Sequence, residues 1–112
     1  MNQYVLGHRD DFSDGETRGF DLDPQDPGKR VFIVKTQDQF YCYRNSCPHT
    51  GAPLNWEGDR FLSLDQSYIQ CSLHGALFRI ENGQCIAGPS PGTHLGSVPI
   101  SIDSDGRLCV EL

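Results

Sequence analysis

Val31-Phe32-Ile33-Val34-Lys35-Thr36-Gln37-Asp38-Gln39-Phe40-Tyr41-Cys42-Tyr43-Arg44 is the stretch that decides the fold. Two runs rich in β-branched and aromatic residues flank a short polar turn, which is the composition of a hairpin and not of a helix. Similar short runs recur on both sides of it. They are Glu16 to Leu22, Arg60 to Leu64, Tyr68 to Cys71, Leu77 to Ile80, Gln84 to Ala87, Val98 to Asp103 and Arg107 to Leu112. Turn signals such as Ser13-Asp14-Gly15, Asp26-Pro27-Gly28 and Asn82-Gly83 punctuate them, and the last two runs read as a closing hairpin around Asp105-Gly106. Short strands with frequent turns predict an antiparallel all-β sandwich or barrel. The only helical expectation is a single turn near Arg9 to Phe12.

Composition agrees. The 112 residues fit one domain, and Gly and Pro together number 19 against three Ala. No apolar run is long enough for a membrane helix, and the N-terminal MNQYVLGHRDD lacks a signal peptide's basic start and apolar core. The expected location is therefore cytoplasmic. Fifteen acids against nine bases give a net charge of −6, which disfavours nucleic acid and anionic membranes as partners. Seven of the acids (Asp10, Asp11, Asp14, Glu16, Asp21, Asp23 and Asp26) fall in the first 26 residues, as a solvated face or a docking surface for a basic protein.

Five cysteines, at 42, 47, 71, 85 and 109, make an odd count, and without a signal peptide this argues for thiols and metal over a disulfide scaffold. Two segments resist reading as strands: Ser46 to Pro53 (SCPHTGAP) and Ser72 to Ala76 (SLHGA). Cys47 and His49 form a C-x-H pair, Cys71 and His74 a C-x-x-H pair, with 21 residues between His49 and Cys71. Thiolate and imidazole are soft and borderline metal ligands, so two such loops can converge on one centre. Zinc is one occupant, although structural zinc sites pair ligands at other spacings. Cys42 and Cys109 lie mid-strand and, with Cys85, read as buried structural thiols. His8 and His94 read as surface groups.

Cys47-Pro48-His49-Thr50-Gly51 with Cys71-Ser72-Leu73-His74-Gly75 resembles the two-box signature of Rieske iron–sulfur proteins. The similarity extends through Leu77-Phe78-Arg79, Asn82-Gly83 and the Gly88-Pro89-Ser90-Pro91-Gly92 loop to the terminal hairpin, covering residues 4 to 112. It implies a Rieske-like antiparallel β sandwich, a single domain over 1–112 whose cluster-binding portion, about 45–92, is inserted in a basal β portion. It also implies one 2Fe–2S cluster per chain, with Cys47 and Cys71 on an inner iron and His49 and His74 on an outer one. The 88–92 loop would shield that cluster, and a longer hairpin within Trp56 to Gln70 would absorb the wide gap between boxes.

Departures from the family place the chain within it. The high-potential branch braces its boxes with a disulfide, but the matching positions here are Ala52 and Leu73. That branch also carries a Ser and a Tyr that hydrogen-bond the ligating sulfurs, where this chain has Ala76 and Phe78. Fewer donors imply the low-potential, ferredoxin-like branch. The resulting expectation is an electron carrier with no catalysis of its own. It would pass single electrons from a flavin reductase to a terminal oxidoreductase such as a ring-hydroxylating dioxygenase. The small Rieske subunit of an NAD(P)H nitrite reductase is the alternative, and a structural zinc module is the alternative of another class. An oxygenase acting alone needs a second iron domain, for which the length leaves no room.

Overall fold

The computed structural model describes residues 3–23, 25–26, 29–46, 54, 61–63, 67–71, 76–88 and 92–112. The strands are β1 (Gln3–His8), β2 (Thr17–Asp21), β3 (Arg30–Thr36), β4 (Gln39–Arg44), β5 (Tyr68–Gln70), β6 (Leu77–Arg79), β7 (Cys85–Ala87), β8 (Ile100–Ile102) and β9 (Arg107–Glu111). They form three three-stranded sheets, ordered β1-β9-β8, β2-β3-β4 and β5-β6-β7. All six strand pairings among the described residues are antiparallel. The fold class read from the sequence is the one found.

β3 explains the layering. Val31, Phe32, Ile33 and Val34 are all fully buried, so neither face of this strand meets water. Phe32 and Val34 join one buried cluster with Ile69, Cys71 and Phe78, while Val31 and Ile33 join a second with Leu108 and Val110. Alternate side chains of a strand point to opposite faces, so the β2-β3-β4 sheet is the middle layer between the other two. An apolar run without alternation is what a strand covered on both faces requires. Across one interface the Phe32 and Phe61 rings stack with centroids 4.3 Å apart. Tyr43 also reaches across, its hydroxyl donating to the Ile80 carbonyl.

The β3–β4 connection is a two-residue turn in which Gln37 (φ 52°) and Asp38 (φ 63°) are both left-handed, the geometry of a type I′ hairpin. Asp38 suits this region, but Gln37 does not. The Asp14 carboxylate, however, accepts the Gln37 N–H at 2.7 Å and holds the turn from outside. The expected helical turn is a single 3-10 turn over Arg9–Asp11. His8 caps it from the surface. Its Nδ1 accepts the Asp10 N–H at 3.0 Å, which leaves Nε2 to donate to the Asp105 carbonyl at 2.8 Å. His94 is exposed, as expected.

Strand β1 lies outside the runs that the sequence marks as strands. Its apolar residues are few, and Gly7 (φ 104°) lies at the irregularity between Val5 and His8 that blurs the alternation. Its partner is β9, with Gln3 opposite Glu111, so the pairing is set by the far end of the chain. The expected strand Arg60 to Leu64 is seen only in part, because Arg60 and Leu64 lie outside the described residues. Within it Leu62 bridges Ile69, the Ser63 N–H donates to the Tyr68 carbonyl at 2.8 Å, and the Gln70 N–H to the Phe61 carbonyl at 2.9 Å. Phe61–Ser63 thus runs antiparallel beside β5, within the stretch expected to absorb the long gap.

Candidate metal centre

Cys71 is the one residue of the four-ligand set that the structure describes; Cys47, His49 and His74 lie outside the described residues, as do Ala52 and Leu73. Cys71 follows β5 directly and is fully buried. Its N–H donates to the Ala76 carbonyl at 2.9 Å, closing the base of the SLHG loop. β6 starts immediately after Ala76, so Cys71 and Ala76 stand at the paired ends of β5 and β6.

The first box has a comparable stem. β4 ends at Arg44, and the Asn45 side-chain oxygen accepts the Leu54 N–H at 2.7 Å across the intervening residues. Leu54 is fully buried in the same cluster as Cys71 and Ala76, so both loops are rooted on one core. Sequence reasoning missed Asn45. An Asn after a strand signals a turn, but a bond to a residue nine positions on carries no local signature. A third stem belongs to the 88–92 segment: the Cys85 N–H donates to Thr93 and the Gly92 N–H to Cys85, at 2.8 and 3.3 Å.

The remaining cysteines behave as structural thiols. Burial pushes the Cys42 thiol up to about 12, so it stays protonated and a poor ligand at neutral pH. The Cys85 thiol lies 3.3 Å from the Ala87 carbonyl, and Cys109 is buried beside β8.

Charge is unevenly placed. The Asn45 N–H donates to the Arg30 carbonyl at 2.8 Å, and Asp21 pairs with Arg30, so the β2–β3 connection with Asp23 and Asp26 lies at the first-box end of the middle sheet. Lys29, Arg30 and Arg44 share that end. Asp14 and Glu16 contact Gln37 and Lys35 at the other end, about 17 Å away along β4 at the usual rise per residue. Asp10 and Asp11 go with them, tied through His8 and Arg18. The N-terminal acids therefore split into two groups, three at the end of the middle sheet where β4 stops and four at the opposite end.

A family model described as Rieske [2Fe-2S] domain matches residues 2–101. Apoptosis-inducing factor 3 of Mus musculus and that of Homo sapiens are each 33% identical over 76 residues, 68% of this chain. The chain spans 11% of the length of these curated relatives. The ferredoxin of carbazole 1,9a-dioxygenase from Nocardioides aromaticivorans IC177 aligns with a TM-score of 0.74 at 23% identity, covering 98% of this chain and 97% of that one. A chain from the complex of reduced oxygenase and oxidized ferredoxin in carbazole 1,9a-dioxygenase gives 0.75 at 20%, covering 96% and 100%. The terminal oxygenase from Novosphingobium sp. KA1 gives 0.77 at 17%, over 98% of this chain but 29% of its own. At these identities the structural likeness establishes a shared fold.

The described residues fit such a cluster. A fully buried thiol stands at a strand end, and no charged side chain is buried among the described residues to compete for the site. Buried thiolate is the environment a sulfur-bridged iron pair takes on its inner side.

Proposed function

We propose that this chain, which belongs to the Rieske [2Fe-2S] domain family, is an electron carrier for a multi-protein oxidoreductase, with Cys47, Cys71, His49 and His74 as its cluster ligands. Membership implies one 2Fe–2S cluster per chain. Such a cluster, when bound, takes up and gives back one electron at a time. The chain's own residues supply the rest. Cys71 offers a thiol shielded from water, the Asn45–Leu54 and Cys71–Ala76 bonds hold the loop stems, and His49 and His74 would present the exposed side.

The observation that carries this reading is the buried Cys71 at the closed base of the second box. Structures of the ferredoxin of carbazole 1,9a-dioxygenase share the fold over nearly the whole chain, which supports a reductase-to-oxygenase role. The test is reductive titration followed by electron paramagnetic resonance. One spin per two irons is expected, and protein that takes up no electron would overturn the proposal. Proteins co-purifying with a tagged copy from its native host then identify the system. A flavin reductase with an oxygenase supports the dioxygenase role, and a sirohaem protein the nitrite reductase alternative.

A midpoint potential at the negative end of the Rieske span, near −150 mV in a range of roughly −150 to +300 mV, is expected. Phe78 is fully buried and has no hydroxyl to donate, and Ala76 has no polar side chain. Phe78→Tyr should raise the potential, by less than the roughly 1.5–3 kcal/mol of a bond to a charged acceptor, since only the difference between redox states counts. A voltammetric value near the positive end for the wild type would refute the low-potential assignment.

Electrons are expected to leave through the histidine side of the site. Leu73→Asp in the second box should slow transfer to the partner while leaving the visible spectrum nearly unchanged. Neutralising Asp23 and Asp26, the acids at the end of the middle sheet where β4 stops, should instead alter mainly the salt dependence of the rate. Stopped-flow rates across a salt series separate the two, and wild-type rates for Leu73→Asp at every salt concentration would exclude this exit.

A further inference from the structure

We propose that the outer edge of β8, facing the edge of β4 at Phe40, is a docking slot in which a partner protein adds one extended, basic segment as a fourth strand of the outer sheet. The direction of the backbone groups carries this reading. The Arg44 N–H donates to the Gly96 carbonyl at 2.8 Å and the Val98 N–H to the Cys42 carbonyl at 2.9 Å, so residues 96–98 cover the edge of β4. Phe40, two residues before Cys42, is next on that edge. Its opposite number on β3, Lys35, bonds its own backbone groups to Gly15 and Glu16 instead. Ile100 would continue the cover, but among the described residues no backbone bond joins it to Phe40. The chain has turned to β9 by then: the Glu111 N–H donates to the Pro99 carbonyl at 3.2 Å and the Asp103 N–H to the Arg107 carbonyl at 3.0 Å. Backbone groups alternate in direction along a strand, so those of Ile100 and Ile102 point away from β9. Two edges thus lie open where the middle and outer sheets part.

The walls of the slot say what fits it. Hollows of about 340 and 380 Å³ flank Phe40, the first reaching Ile100 and the second Ile102, Lys35 and Asp38. Ile102 is 42% exposed, one of two large apolar side chains so exposed among the described residues. Lys35 is engaged, its Nζ donating to the Phe12 carbonyl at 3.1 Å, and Arg107 is held by Asp103 at 2.8 Å. Arg9 then faces the exposed carboxylates of Asp10 and Asp38, and the β8–β9 turn adds Asp105. An apolar floor under an acidic rim fits a strand that alternates apolar and basic side chains. A second copy of this chain, with its net charge of −6, would bring like charge to that rim. The edge itself is only three residues long and begins after Pro99, too short to recruit strands indiscriminately.

The experiment titrates ¹⁵N-labelled, metal-loaded protein with the acetylated and amidated peptide Lys-Val-Lys-Val-Lys-Val and follows backbone amides by nuclear magnetic resonance. The amides of Phe40, Ile100 and Ile102 should shift, and those of β2 should not. The Glu-Val counterpart should bind at least about tenfold more weakly, because the rim repels it. An antiparallel guest sets a valine opposite Ile102 and aims its N–H at β8, so the Lys-Val peptide with N-methylated valines should not bind. Ile102→Lys should weaken binding about tenfold by placing a charge on the apolar floor. Should that variant melt earlier than wild type, Asp38→Asn replaces it and should weaken binding about threefold at low salt. No shift at the three amides, shifts of equal size in β2, or equal binding of the acidic peptide, the N-methylated peptide or the variant overturns the proposal. So does dimerisation in sedimentation that Ile102→Lys abolishes, which would give the edge to a second copy.

Discussion

Cys71→Ser protein, purified anaerobically, is expected to be colourless, with iron and sulfide falling from two of each per chain to near none. The thiol it replaces is fully buried just after β5, beside the Cys71–Ala76 hydrogen bond. A serine hydroxyl fits the space but is not a thiolate at neutral pH, and soft thiolate is what holds such a cluster. Stability should fall as well, because a metal centre bound only by the folded protein adds its binding energy to folding. Cys85→Ser and Cys109→Ser are the controls, and both should keep full colour. Metal analysis with visible spectroscopy decides the matter. Stoichiometric zinc in the wild type, or full iron in Cys71→Ser, would falsify the assignment.

The second large effect is expected far from any ligand. Phe32→Ala should cost about 3–5 kcal/mol, the usual range for emptying a buried phenylalanine site. At this chain length that lowers the melting midpoint by on the order of 10–20 °C. Phe32 is fully buried on β3, and its ring stacks on Phe61, which packs from beside β5. The cavity would thus open between the middle sheet and the sheet that carries Cys71. Cluster loss should accompany unfolding, with absorbance and circular dichroism transitions coinciding. A melting point within 3 °C of wild type would show that the interface can collapse around the gap, which stacked rings without free neighbours should not allow.

Much of this architecture was legible in the residues because it is local. The Val31–Arg44 hairpin and the Asp105-Gly106 hairpin each carry their strands and turn within a short window, and both were found as read. The short strand that leads into Cys71 was legible for the same reason. What escaped depends on distant parts of the chain. β1 exists because β9 pairs with it, and Asn45 matters because Leu54 returns to meet it. The division of the acids was equally hidden, since it depends on which end of β3 each loop joins. Sequence adjacency put Asp14 and Asp21 in one group, whereas strand direction sends them to opposite ends of the sheet.

The β1–β9 pairing also sets an order of assembly. The β3–β4 hairpin can close within microseconds of its residues becoming available, because its two strands are joined by a two-residue turn. β1 has no such option: on a ribosome it leaves the tunnel before β2 to β9 and must wait for Arg107–Glu111. Throughout that interval Val5, still 55% exposed in the finished fold, sits on an unpaired strand edge of the kind that recruits other chains. Loop closure across nearly the full sequence is the slow step that such topologies impose. The outer sheet is thus the last to form, and a nascent chain stalled before residue 107 would hold its middle hairpin while leaving its first strand without a partner.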